Sequence, residues 1–117
     1  VAEKYKIFHK KKQNNIKNVS FICDKVENKI DELKNKKIDN IIMDPPRSGS
    51  TVKFLNALKK IAPKKIVYVS CEAKTLARDL KELVDKYDIT KKCIVDMFVG
   101  TYHIETIVSL SLKEVKK

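Results

Sequence analysis

The segment that most constrains the fold runs from an apolar stretch at residues 66–69, through Ser70 and Cys71, into a predicted helix. A short apolar run that ends in a turn is typical of a buried strand covered on both faces. Thr75 is a suitable N-cap for the helix, which we predict to extend to Tyr87. Cys71 is therefore expected at the carboxyl end of a central strand, where open α/β sheets bind their ligands.

The rest of the chain alternates between helix-like and strand-like segments. We predict further helices at residues 1–16, 26–36 and 52–61, and further strands at residues 19–23, 38–43, 89–98 and 104–112. This alternation predicts a mostly parallel sheet with helices on both faces, and the last two strands predict a C-terminal antiparallel hairpin. At 117 residues, the chain is expected to form one α/β domain, residues 1–117.

The net charge is strongly positive. The chain has 26 Lys and Arg residues against 15 Asp and Glu residues, a formal charge of +11. This favours a polyanionic partner such as RNA or DNA, although a lysine-rich genome gives the same composition. The two arginines, Arg47 and Arg78, both lie in motif-like segments, where the planar guanidinium group provides fixed geometry.

The three cysteines, Cys23, Cys71 and Cys93, show no metal-binding spacing and do not indicate a disulfide framework. Cys23 and Cys93 fall within predicted strands and are expected to be small core residues. The chain lacks a signal peptide and a long apolar span, so we expect a cytoplasmic location and no association with a membrane. Because it begins with Val rather than Met, we expect it to be a piece of a longer protein.

Asp44, Pro45, Pro46 and Arg47 follow a predicted strand and form the first candidate site. In a functional interpretation, Asp44 accepts hydrogen bonds from a base or a cofactor amine. The prolines then form a stiff wall against a flat base, and Arg47 binds phosphate. The alternative is that the two prolines only terminate the strand.

Cys71, His103 and Glu105 are the other candidates. Cys71 is either a buried core thiol or a nucleophile, and the N-terminus of the following helix favours the thiolate. Glu105 lies among apolar residues, where a carboxylate is unfavourable unless it has a partner or a function. His103 is expected to be a capping or surface residue; a Cys71–His103 hydrolase pair is the alternative.

Together these segments resemble the uracil-C5 RNA methyltransferases, the family of tRNA and 23S rRNA 5-methyluridine enzymes. The similarity rests on three ordered blocks: residues 44–49, residues 68–71 with 75–80, and residues 96–98 with 101 and 103–105. In addition, residues 18–21 with Asp24 resemble the strand that precedes the acidic residue on the adenine side of the family's cofactor site. The resemblance implies the C-terminal part of a class I methyltransferase (Rossmann-like) sheet. Because the chain has only two glycines, it lacks a glycine-rich turn that approaches S-adenosylmethionine, so the rest of the cofactor site is expected in a missing N-terminal part.

The resemblance also implies roles for individual residues. Cys71 would attack C6 of the uridine, and Glu105 would remove the C5 proton after methylation by S-adenosylmethionine. The cofactor-binding residues would be Asp44 and Asp24, and the RNA-binding residues would be Pro45, Pro46, Arg47, Arg78 and His103. The chain departs from the family at residues 72–73, which are Glu-Ala rather than Asn-Pro, and at residues 99–100, which are Val-Gly where the family has Pro.

A second hypothesis is a catalytically inactive, basic RNA-binding module, motivated by residues 72–73 and by the charge of +11. In either case the isolated chain is expected to be inactive. In the complete fold, two absent strands would lie between the strands predicted at residues 19–23 and 38–43. The chain must therefore close this gap, associate with a second copy, or leave a sheet edge exposed.

Overall fold

The computed structural model describes residues 14–97 and 99–114, and this part of the chain forms three helices and four strands. The helices are α1 (Val26–Leu33), α2 (Val52–Ile61) and α3 (Ala73–Leu83). The strands are β1 (Asn40–Met43), β2 (Lys65–Ser70), β3 (Tyr87–Val95) and β4 (Glu105–Leu112). The α/β class and the closing hairpin are confirmed, with the ends of several elements shifted from their predicted positions.

The four strands form one mixed sheet in the order β1-β2-β4-β3. β1 and β2 are parallel, and α2 provides the crossover that a parallel pair requires. β4 lies between β2 and β3 and is antiparallel to both. The sheet is therefore parallel on the β1 side and antiparallel on the hairpin side.

The starts of α2 and α3 show how local sequence sets the helix boundaries. Thr51 Oγ1 accepts a hydrogen bond from the backbone N–H of Phe54 at 3.2 Å, and α2 spans the predicted residues. The N-cap of α3 is Glu72 rather than Thr75, because the Glu72 carboxylate accepts the N–H of Lys74 at 3.3 Å. The predicted extension of this helix to Tyr87 is also wrong, since Tyr87 begins β3.

All three helices contribute to a single core on one face of the sheet. Alternate residues of the strands pack against them, and the buried set is Ile30, Met43, Phe54, Leu55, Ala57, Leu58, Ile66, Tyr68, Leu76, Leu83, Tyr87, Val108 and Leu110. On the opposite face, Val67 and Val69 are half-buried and Ile42 is 77% exposed. The prediction of helices on both faces is therefore wrong for the described residues.

Residues 19–23 do not form the predicted strand. These residues are exposed and belong to none of the four described strands. Among the described strands, β1 pairs only with β2 and lies at the edge of the sheet. That the chain closes the gap, associates with a second copy or leaves this edge exposed stays a prediction. Cys23 and Cys93 are both exposed, so their prediction as core residues is wrong. Of the helix predicted at residues 1–16, residues 1–13 lie outside the described part of the chain.

Candidate active site

Strand direction brings three of the predicted site residues to one edge of the sheet. β1 and β2 are parallel, so Asp44 and Cys71, which directly follow them, lie at the same edge. β4 is antiparallel to β2 and begins there with Glu105, beside the pair formed by Ser70 and Thr106. Two acidic residues and a cysteine from distant parts of the sequence thus lie at the same end of the sheet.

The turn that contains Cys71 is fixed by the residues on either side of it. Ser70 Oγ donates to the Glu72 carbonyl at 2.9 Å and accepts from the Glu72 N–H at 3.1 Å. Cys71 is half-buried and immediately precedes the N-cap of α3. Cys71 therefore lies between the end of β2 and the N-terminus of α3.

Glu105 is half-buried, and its Oε2 atom is buried without a hydrogen-bond partner among the described residues. Its backbone pairs with Val95, and it lies on the same face of β4 as Ile107, opposite the helices. Leaving a carboxylate oxygen buried without a partner is unfavourable. Together with the nearby thiol turn, this arrangement is typical of a functional site.

Residues 44–50, here called the 44–50 loop, are held against α3 by side-chain bonds to backbone carbonyls. Thr75 Oγ1 donates to the Arg47 carbonyl at 2.8 Å, and Arg78 Nη2 donates to the Ser48 carbonyl at 2.7 Å. Arg47 Nη2 lies 3.8 Å from Glu72 Oε2. Both arginines therefore lie at this contact, where Arg78 binds the protein's own backbone; its role in RNA binding stays a prediction.

Asp79 connects the 44–50 loop to the core. Its side chain is fully buried and accepts hydrogen bonds from the Ser50 N–H at 2.7 Å, the Tyr68 hydroxyl at 2.5 Å and Arg78 Nε at 3.2 Å. Sequence analysis gave Asp79 no role. The available signal was its helical spacing with Leu76 and Leu83, which places an acid on the buried face of α3.

The same network affects Tyr68 and Gly49. Burial, followed by the hydrogen bond to Asp79, raises the pKa of Tyr68 well above its ordinary value. Gly49 has a φ of +78°, and a Cβ at this position would lie 2.6 Å from Arg78 Nη2 and 2.9 Å from Asp79 Oδ2. The close approach of the loop to α3 therefore requires glycine.

A groove of about 490 Å³ opens beside β1 and is mostly apolar. Its lining includes Asp44, Pro45 and Pro46, with Ile30 and Glu27 from α1. Glu27 was missed by sequence analysis; its spacing with Ile30, one helical turn away, was the signal available. The groove thus combines apolar walls with two carboxylates.

Asp24 and His103 do not line the groove. Asp24 is exposed before α1, and hydrogen bonds from the Asn28 side chain and the Lys25 N–H lower its pKa. His103 is exposed two residues before β4, and its backbone N–H donates to Thr101 Oγ1 at 3.3 Å. The described His, Cys, Asp and Glu side chains form no cluster of three or more that could hold a metal ion.

Two lysines at the opposite end of the sheet have a structural role. Lys86 Nζ donates to the Lys59 carbonyl in the last turn of α2, and Lys113 Nζ donates to the Val84 carbonyl at the end of α3. Cations stabilise these helix C-termini. Part of the positive charge is therefore used within the fold. Among the described residues, no helix has the length and apolar character needed to cross a membrane.

Most of the chain matches a known protein family and several individual proteins. Residues 10–113 match the family described as tRNA (Uracil-5-)-methyltransferase. An RNA methyltransferase of Clostridium tetani, described as uncharacterized, is 47% identical over 109 residues, which is 91% of this chain and 24% of that protein. A similarly described protein of Thermotoga maritima is 44% identical over 100 residues, 83% of this chain and 22% of that protein. The chain spans about a quarter of the length of these curated relatives.

Among solved structures, the chain is similar to the tRNA (uracil-54, C5)-methyltransferase of Pyrococcus abyssi in complex with S-adenosyl-L-homocysteine. The TM-score is 0.74 and the identity 33%, and the match covers 89% of this chain and 25% of that one. The M1.HpyAVI–SAM complex matches with a TM-score of 0.56 and 16% identity, covering 76% of this chain and 52% of that one, and supports the fold alone. The fold is thus that of a Rossmann-like methyltransferase. The chain belongs to the tRNA (Uracil-5-)-methyltransferase family.

Proposed function

We propose that the protein containing this chain methylates C5 of a uridine in tRNA or rRNA, with Cys71 as nucleophile and Glu105 as base. The observation that carries this proposal is the buried Glu105 Oε2, which has no hydrogen-bond partner in the described part of the chain and lies at the end of the sheet that also holds the Cys71 turn. The similarity to the Pyrococcus abyssi enzyme supports the choice of uracil and of S-adenosylmethionine.

The chemistry requires a nucleophile and a base in succession. Addition of the Cys71 thiolate to C6 of uracil moves the C5–C6 electron pair towards C5 and O4, which makes C5 nucleophilic. When bound, S-adenosylmethionine would supply the methyl group for C5 by cleavage of its sulfur–methyl bond, which leaves S-adenosylhomocysteine. Glu105 then accepts the C5 proton, the C5–C6 double bond re-forms, and the thiolate leaves with its electron pair. To reach the thiol, the base must leave its stack.

The groove beside β1 fits part of such a cofactor. Its volume lies in the range of small-molecule sites, and its mixture of apolar walls and a few polar groups is usual for them. Asp44 and Glu27 would accept hydrogen bonds from the hydroxyl and amine groups of the nucleoside. β1 is the last strand on this side of the described sheet. We therefore expect other parts of the protein to complete the cofactor site.

The test is methylation of uridine-containing tRNA and rRNA transcripts by the whole protein, with detection of 5-methyluridine by mass spectrometry. Cys71→Ala should abolish methylation and the covalent adduct with 5-fluorouracil RNA. Glu105→Gln should permit the adduct with ordinary RNA but slow its release, because no base removes the C5 proton. Cys93→Ala, which changes an exposed cysteine, is the control and should remain active.

Methylation by the Cys71→Ala protein would refute the assignment of the nucleophile. Salt-dependent RNA binding that survives Cys71→Ala, without any adduct or methylation by the unchanged protein, would instead identify the inactive RNA-binding module.

A further inference from the structure

We propose that Arg47 is a positioning residue that compensates the charge of Glu72 and thereby keeps the Cys71 thiol reactive. This inference rests on the proposed role of Cys71 as nucleophile. It concerns an acid directly beside that thiol, at a position where the resemblance implies an uncharged residue.

The Glu72 side chain has two contacts that differ in kind. One oxygen, Oε1, caps α3 by accepting the Lys74 N–H, so the carboxylate is held at the N-terminus of α3, on the residue that follows Cys71. The other oxygen, Oε2, lies 3.8 Å from Arg47 Nη2. A negative charge held beside a thiol disfavours the thiolate, and a neighbouring guanidinium reduces that effect.

The backbone of Arg47 is held in place for this contact. Thr75 Oγ1 lies 2.8 Å from the Arg47 carbonyl and 3.2 Å from the Glu72 carbonyl, so one hydroxyl links the two segments. The Arg47 side chain is 65% exposed and that of Glu72 is 33% exposed. The pair therefore contributes little to stability, and its effect is expected in the reactivity of the thiol instead.

Other charged residues lie at the same end of the sheet as the turn and set the background against which this pair acts. They come from every element at this edge, and they are Asp44 after β1, Lys74 in α3, His103 before β4 and Glu105 in β4. None of these groups changes in the experiment below, so differences between variants report the Arg47–Glu72 pair.

The experiment measures the rate of alkylation of Cys71 by iodoacetamide between pH 6 and pH 10 in the 117-residue chain carrying Cys23→Ser and Cys93→Ser. In this background Arg47→Gln should slow alkylation at pH 7 by about threefold to tenfold, and Glu72→Gln should accelerate it. Both changes should shift the midpoint of the pH profile while preserving the plateau at high pH. Adding Arg47→Gln to the Glu72→Gln variant should have little further effect.

Two controls accompany these variants. Lys81→Gln and Glu82→Gln make the same charge changes further along α3, at exposed positions, and should leave the profile unchanged. An unchanged profile in Arg47→Gln would overturn the proposal. So would equal slowing by Arg47→Gln with and without Glu72, because Arg47 would then act on the thiol directly. A lowered plateau without a shifted midpoint would also overturn it, because it would indicate a change in structure.

This measurement is independent of the proposed function. Alkylation requires neither RNA nor cofactor, so an unshifted profile would leave the proposed methylation intact. Conversely, retained methylation in Cys71→Ala would refute the nucleophile without altering the measured effect of Arg47 on the thiol.

Discussion

The two faces of the sheet differ in how completely they are covered and in whether their polar groups are satisfied. On the face towards the helices, Ile66 and Leu110 are fully buried, and the buried Asp79 has three donors. On the other face, Ile42 is largely exposed and Glu105 keeps a buried oxygen without a described partner. The difference indicates that stability comes mainly from the first face, whereas the proposed base, Glu105, lies on the second.

The largest expected effect is that of Asp79→Ala. The substitution leaves the Tyr68 hydroxyl, the Ser50 N–H and Arg78 without their common acceptor, so unfolding should become easier by about 3–5 kcal/mol in urea titrations. Asp85→Ala, which removes an exposed acid paired with Lys59 at 3.4 Å, is the control and should have little effect. Equal effects of the two substitutions would contradict the importance of the Asp79 network.

Ile66→Ala and Ile42→Ala compare the two faces directly, since they remove the same side chain from adjacent strands. Ile66 is fully buried, so its truncation should lower the free energy of unfolding by about 2–5 kcal/mol. Ile42 is 77% exposed, and its truncation should change that free energy by less than about 1 kcal/mol. Similar losses in urea denaturation would show that the second face is covered in solution.

Gly49→Ala and Gly100→Ala test the contact between the 44–50 loop and α3. Both glycines have positive φ, but only at Gly49 would a Cβ collide with Arg78 and Asp79, whereas nothing lies within 4 Å at Gly100. Gly49→Ala should therefore lower the melting temperature more, with a destabilisation of about 1–3 kcal/mol. A larger effect at Gly100 would argue against the close contact.

The smallest expected effect is a pH dependence. Burial raises the pKa of Tyr87 to about 12, and that of Tyr68 is raised further still. Because the folded state retains these protons more strongly, the associated stability is complete below about pH 10 and is lost as the pH rises towards the folded-state values. Tyr87→Phe should make the free energy of unfolding fall less steeply between pH 10 and pH 12.

The control for this prediction is Tyr102→Phe, which changes a fully exposed tyrosine. The slope for this variant should equal that of the unchanged protein. A slope unaffected by Tyr87→Phe would contradict the role of burial at Tyr87.

Local patterns were sufficient for much of the fold. Apolar spacing identified α2 within its observed bounds, and the apolar runs identified β1, β2 and the hairpin. They were insufficient where the structure of a segment depends on its contacts with the rest of the fold. Residues 19–23 have a suitable composition for a strand, but they are exposed and form none. Likewise, the exposure of Cys93 follows from the side of the sheet that the helices leave uncovered.

The sequence by itself determined the helix–strand alternation, the order of the motifs and the family, because these depend on residue types and spacing along the chain. Only the tertiary structure decided which groups meet. Strand direction brings Asp44, Cys71 and Glu105 to one edge, and the packing of α3 gives Asp79 and Arg78 their role in fixing the 44–50 loop. Such contacts arise from segments distant in sequence, whose relative positions are set by the packing of the sheet and its helices rather than by local propensity.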